Sequence, residues 1–164
     1  MPVEFQDNSM KVKSELEKAA IKFLHGAGLT MQKQAADNTR VASGDTAGAW
    51  DYVVDEGKLE AVIGNPMQNA IWEEFGTGEY ALKRNGRKGY WVYVKGNGSS
   101  TSRSQKQYTL QEAKEVTAYL RSKGLDAHYT NGKKPSRAFH NAFIAKKDAI
   151  IRQAEKVLKA RLNE

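Results

Sequence analysis

Apolar positions recur at helical spacing over residues 9–37. Val12, Leu16, Ala19, Ala20, Phe23, Leu24, Ala27 and Met31 fall mostly three or four residues apart. That pattern predicts a long amphipathic helix with Ser9 as its N-cap. Gly26 and Gly28 interrupt it and predict a kink or a division, since each glycine costs about 1 kcal/mol relative to alanine in a helix interior. Residues 39–48 are small and polar and predict a loop. Two aromatic and β-branched runs follow, Trp50–Val54 and Leu59–Ile63, separated by Gly57-Lys58 and ended by Gly64-Asn65-Pro66. They predict a β-hairpin.

Asn69–Phe75 fits either a helical turn or a strand; Ile71, Trp72 and Phe75 share a helical face, which favours a short helix, and Gly76-Thr77-Gly78 stops it. Tyr90–Val94 is the clearest strand in the chain, and the glycine- and serine-rich run after it reads as a flexible loop. Thr109-Leu110-Gln111-Glu112 is a capping box opening a helix that Gly124 closes at C′. Asn131-Gly132 reads as a turn. Pro135 leads into a last helix, Ser136–Leu162, with Phe139, Ala142, Phe143, Ile150, Ala154, Val157, Leu158 and Leu162 as its stripe. The order is α, β, β, short α, β, α, α. Strands succeed one another without helical crossovers, so the class is α+β. The expectation is an antiparallel sheet of about three to four strands packed against long N- and C-terminal helices, with an inserted helix.

A length of 164 residues suits a single domain, 1–164, able to bury a core. No cysteine is present, which removes disulfides, thiolate metal sites and a cysteine nucleophile. The longest apolar runs are too short to span a membrane, and Met1–Asp7 shows neither a basic nor an apolar leader region. A cytoplasmic origin is expected.

Charge is divided along the chain. Residues 1–82 hold 7 Lys+Arg and 13 Asp+Glu, a net −6; residues 83–164 hold 19 and 6, a net +13. The basic half suits a polyanion such as nucleic acid, or the acidic half of another copy in a head-to-tail ring. Lys83, Arg84, Arg87, Lys88, Lys95, Arg103 and Lys106 fall in a stretch, 83–107, without a single acid. Tyr90, Trp91 and Tyr93 lie inside it. Lysines there would neutralise phosphates and rings would stack on bases, although alternation along a strand puts some of the rings in the core.

Catalytic chemistry finds little footing. His25, His128 and His140 lack metal-ligand spacing. A hydrolase would need His128 or His140 to meet an acid in a cleft. Glu73 and Glu74 are helical neighbours pointing about 100° apart, so they do not converge on one substrate. Gly76-Thr77-Gly78 is too short for a dinucleotide fingerprint, Gly86-Arg87-Lys88-Gly89 is a basic turn, and no phosphate loop or nucleophile elbow occurs. Asn97-Gly98-Ser99 fits a glycosylation acceptor that has no meaning without secretion. No enzyme, metal or cofactor is expected.

Four segments stand in order along the chain: Asp45-Thr46-Ala47-Gly48-Ala49-Trp50, then Ile63-Gly64-Asn65, then Ala70-Ile71-Trp72-Glu73-Glu74-Phe75-Gly76-Thr77-Gly78, and Lys134-Pro135-Ser136-Arg137-Ala138-Phe139-His140-Asn141-Ala142-Phe143. In that order they resemble the minor tail-component family of long-tailed phages and prophages, whose members sit at the neck or head–tail junction. The third is the most specific. One extra residue after Thr46 and a missing second proline near 138 depart from the family pattern. The likeness covers about residues 10–78 and 130–162. Residues 79–130 form a variable insertion with the basic Gly/Ser-rich loop 96–107 and the helix 109–123.

The resemblance implies a non-enzymatic ring, a hexamer, that joins connector or head-closure proteins to the tail and lets DNA pass. Neck, tail-completion and tail-terminator roles are left open, and the location implied is the virion, assembled in the bacterial cytoplasm. Trp72 and Phe75 would anchor their segment to the core. Glu73, Glu74 and Glu79, around Gly76, Thr77 and Gly78, would face a neighbour's basic surface, and the basic stretch would reach an adjacent ring or DNA in the lumen. The alternative is a small non-enzymatic nucleic-acid-binding protein.

Overall fold

The computed structural model describes residues 7–40, 44–96 and 106–162. Residues 41–43 of the expected loop, Arg103, the acceptor Asn97-Gly98-Ser99 and most of loop 96–107 lie outside the described residues. The chain forms two compact units, Met1–Met67 with Ala138–Glu164, and Gln68–Arg137. The insertion drawn at 79–130 falls inside the second unit.

The first unit is built on α1 (Ser9–Asn38) and α5 (Ala138–Leu162), which pack along each other. Between them in sequence come α2 (Asp45–Gly48) and an antiparallel pair, β1 (Asp51–Asp55) with β2 (Glu60–Gly64). Met31, Ala35, Trp50 and Ala142 form the core, with Ala36, Ile63, Phe139 and Ile150 around them. Trp50 holds it together. Its ring stacks on Phe139 at 5.5 Å, and its indole N–H donates to Thr39 Oγ1 at 2.8 Å. Thr39 Oγ1 in turn donates to the Ala35 carbonyl, so a buried polar chain is satisfied within the core. Asn38 Nδ2 donates to the Ala138 carbonyl, fastening the end of α1 to the start of α5.

α1 differs from expectation in two details. Asn8, not Ser9, occupies the N-cap, without a side-chain cap bond; Ser9 is the first helical residue and donates its N–H to Asp7 Oδ1. The helix also runs unbroken through Gly26 and Gly28. Gly28 is there for space, because a Cβ would strike the Tyr52 ring of β1, whereas a Cβ at Gly26 meets nothing within 4 Å. Gly28→Ala should therefore destabilise the protein by about 1–3 kcal/mol through overpacking, while Gly26→Ala should stabilise it by about 0.5–1 kcal/mol. Urea unfolding of the two variants checks this; a stabilised Gly28→Ala would mean that the ring does not pack there.

The second unit holds α3 (Gln68–Phe75), a 3₁₀ turn (Gly78–Tyr80), β3 (Trp91–Val94), α4 (Leu110–Ser122) and β4 (Ala127–Thr130). β3 pairs antiparallel with β4, and Tyr90 bridges to Tyr108 on the other side. α4 packs on both strands. The predicted order omits β4. The fold class is α+β with antiparallel pairing as expected, but among the described residues the four strands are divided between two two-stranded sheets instead of sharing one.

The capping box of α4 is complete. Glu112 Oε2 accepts from the Thr109 N–H and hydroxyl, and Thr109 Oγ1 accepts from the Glu112 N–H. Those two donors, the backbone one first, hold the Glu112 carboxyl below its ordinary range. A lowered folded value means the stabilisation is present above the unfolded pKa and is lost as pH falls through the folded one. Acidification should thus fray the first turn of α4, and Thr109→Ala, which removes the hydroxyl donor and keeps the backbone N–H, should raise the Glu112 titration, followed by NMR, only part of the way toward the usual carboxylate range.

Candidate functional site

α3 is turned inside out relative to its sequence. Ile71, Trp72 and Phe75 are 58, 43 and 49% exposed, while Glu73 is 5% exposed. Trp72 and Phe75 therefore do not anchor the segment to the core, and Glu73 does not face a neighbour. The cause is a set of partners about sixty residues away. Lys133 Nζ pairs with Glu73 Oε1, and Ser136 Oγ lies 3.1 Å from Glu73 Oε2. The Glu73 carbonyl accepts from the N–H groups of Ser136 and Arg137 at 2.7 and 3.2 Å and from Ser136 Oγ at 3.0 Å. A buried carboxylate is tolerable only when paired and hydrogen-bonded in this way.

Gly76-Thr77-Gly78 continues the same fastening. Thr77 N–H donates to the Lys133 carbonyl at 2.9 Å, Lys133 N–H to Thr77 Oγ1 at 3.0 Å, and Glu79 N–H to the Asn131 carbonyl at 3.0 Å. Gly76 and Gly78 take φ of +70° and +60°. A Cβ at Gly78 would fall on the Asn131 carbonyl oxygen, and one at Gly132 on that of Thr77. Two turns thus meet backbone to backbone, which only glycine permits. Glu79 is exposed but engaged, accepting from Gly89 N–H and from Asn131 Nδ2, both at 3.1 Å. Glu74 is half-buried. Of the three acids expected to face a neighbour, Glu73 is internal and Glu79 braces two loops.

The basic residues divide differently. Lys83, Arg84 and Lys88 are exposed in the loop that follows the 3₁₀ turn. Arg87 is half-buried, its guanidinium 5.0 Å from the Trp91 ring centre and Nη2 donating to the Lys106 carbonyl. Lys95 is exposed at the end of β3, where its N–H donates to Asp126. Lys106 lies over Tyr108 at 5.1 Å. Of the strand's rings, Trp91 is half-buried under Arg87, while Tyr93 is exposed and stacks on His128 at 5.5 Å.

His128 does meet an acid, Asp126 Oδ1 at 2.7 Å, but this is a local pair in which Asp126 is exposed. His25 lies edge-on to Tyr52 in the other unit. Among the described residues no three His, Asp or Glu side chains converge as metal ligands, and no helix is long and apolar enough to cross a membrane. The residues that sequence reading missed are Asn131, Gly132, Lys133 and Ser136. The available signal was Asn131-Gly132 followed by Lys133, a turn with a cation at its exit. No family model, curated protein or solved structure matches the chain.

Proposed function

We propose that the chain is a structural, non-enzymatic subunit of a ring at the head–tail junction of a long-tailed phage, joining connector to tail and leaving a channel for DNA. The observation that carries this reading is how the resembling segments engage one another. Asn65 Nδ2 donates to the Thr46 carbonyl at 2.7 Å, tying the Gly-Asn step to the Asp-Thr motif. Lys133 and Ser136, at the proline-led entry, fasten Glu73 of the Glu-Phe-Gly-Thr-Gly segment. Segments distant in sequence thus hold one another in place, which suits their joint presence in a single pattern. The outward Ile71, Trp72 and Phe75 beside a rigid turn suit a contact with another protein. Lysines without a base-reading motif suit passing, non-specific phosphate contact.

A second reading is favoured by exposed Lys83, Arg84, Lys88, Lys95 and Tyr93 on one unit: a nucleic-acid-binding module. Light scattering on a size-exclusion column, at low and then high salt, with negative-stain microscopy of the peak, separates the two. The ring reading expects a discrete particle of fixed copy number that loosens with salt. A monomer or dimer that shifts only when DNA is added overturns it in favour of the second.

A further inference from the structure

The β1–β2 hairpin has two unlike faces. Its register sets Asp51 opposite Gly64, Val53 opposite Val62 and Asp55 opposite Glu60, and directly opposed residues share a face. Tyr52 and Ile63, on the other face, are partly buried in the first unit, Tyr52 against Gly28 and Ile63 against the core cluster. The outer face carries the valine pair, 67 and 60% exposed, framed by Asp51 at one end and by Asp55 and Glu60 at the other. Two carboxylates set directly across a strand pair repel. Lys58 Nζ answers Asp55 at 3.3 Å, but among the described residues no cation pairs with Glu60 or Asp51. An apolar centre with unneutralised carboxylates on both sides calls for an apolar knob flanked by cations.

The second unit carries such a knob. Leu82 is exposed, with Lys83 and Arg84 next to it and Lys88 further along the same loop. Leu82 N–H donates to the Phe75 carbonyl at 2.9 Å, which places the loop against the end of α3 and its exposed Phe75. The loop is braced throughout. Arg84 N–H donates to the Ala81 carbonyl, Gly86 packs on the Gly78 carbonyl with no room for a Cβ, and Gly89 N–H donates to Glu79. Arg84 sits at φ +56°, a conformation that a residue with a side chain adopts at a cost and that the surrounding bonds impose. A knob ordered beforehand loses little entropy on docking.

We propose that the carboxylate-framed valine face of the β1–β2 hairpin receives the Leu82 loop of a second copy of this chain. Val53 and Val62 meet Leu82 and Phe75, while Asp51, Asp55 and Glu60 meet Lys83, Arg84 and Lys88. The inference rests on the ring reading and supplies the two unlike faces that a head-to-tail contact repeats from copy to copy. It also assigns the charge division of the chain to self-recognition, with the acids setting register and the valines and leucine excluding water.

Complementary charge reversal in the full chain tests it. The hairpin variant is Asp55→Lys with Glu60→Lys; the loop variant is Lys83→Glu with Arg84→Glu. In sedimentation at low salt, each alone should self-associate about tenfold or more weakly than the unaltered chain. An equimolar mixture should recover assembly, because the reversed hairpin of one then meets the reversed loop of the other and the unaltered faces still match. Val53→Ser with Val62→Ser should weaken assembly without changing charge, and circular dichroism verifies that each variant is folded. Variants that assemble like the unaltered chain, or a mixture no better than its components, overturn this contact and leave the ring reading standing. An unaltered chain that stays monomeric overturns both. A loop variant that still assembles but loses retention on DNA assigns the loop to nucleic acid and overturns the contact as well.

Discussion

Gly132→Ala is expected to abolish the cooperative unfolding of the second unit or to lower its midpoint by more than any surface change. Gly132 sits at φ +130°, and a Cβ there would land on the Thr77 carbonyl oxygen, with the Gly78 Cα 2.9 Å away. Both obstacles are backbone, so no rotamer change relieves them. Making room means separating the two turns, which breaks the bonds from Thr77 N–H to Lys133, from Lys133 N–H to Thr77 and from Glu79 N–H to Asn131. Three hydrogen bonds at about 1 kcal/mol each, with about 1–3 kcal/mol of backbone strain, give roughly 4–6 kcal/mol. That is a large share of what holds a domain of this size together. Gly124→Ala is the control. Gly124 takes φ +79° as the C′ residue of α4, yet a Cβ there meets nothing within 4 Å, so only the left-handed conformation is penalised, by about 1 kcal/mol. Urea unfolding followed in the near ultraviolet measures the difference. Equal losses for the two variants would show that the turns do not touch.

What the chain reveals before folding follows the range of the forces involved. The hairpin was legible because its turn is local, and α4 because Thr109 and Glu112 cap each other three residues apart. The span of α1 was legible from its period, but the reason for Gly28 was not, since it lies in the Tyr52 ring. β4 escaped because four residues, Ala127 to Thr130, are too short for a period and become a strand only through β3. The same long-range choice explains two small sheets in place of one. At α3 the period was read correctly but the burial was inverted. Three apolar residues on one face ordinarily mark the inside, and nothing near Glu73 announces Lys133 and Ser136. The site was therefore legible as a segment, residues 72–79, and illegible as a surface.

That inversion makes neighbouring residues separable by experiment. Glu73→Ala should destabilise the second unit by about 1.5–3 kcal/mol. The figure is lower than for a fully enclosed ion pair because the Lys133 side chain is half exposed and can turn to water once its partner is gone. Ser136 keeps its bonds to the Glu73 carbonyl, which any residue supplies. Glu73→Gln should retain the contact with Ser136 Oγ and recover part of the loss, so the order unaltered, Gln, Ala measures the charge and the hydrogen bond in turn. Trp72→Ala should do the opposite. Its side chain is substantially exposed, so the unfolding free energy should move by less than about 1 kcal/mol, while the assembly proposed above should weaken, because an exposed aromatic is the kind of residue that carries binding at a contact. Chemical unfolding and light scattering on the same three variants decide the matter. If Trp72→Ala lost stability and kept assembly, the apolar face of α3 would be part of the fold, and the outward side of this segment would have to be sought at Glu74 and Glu79.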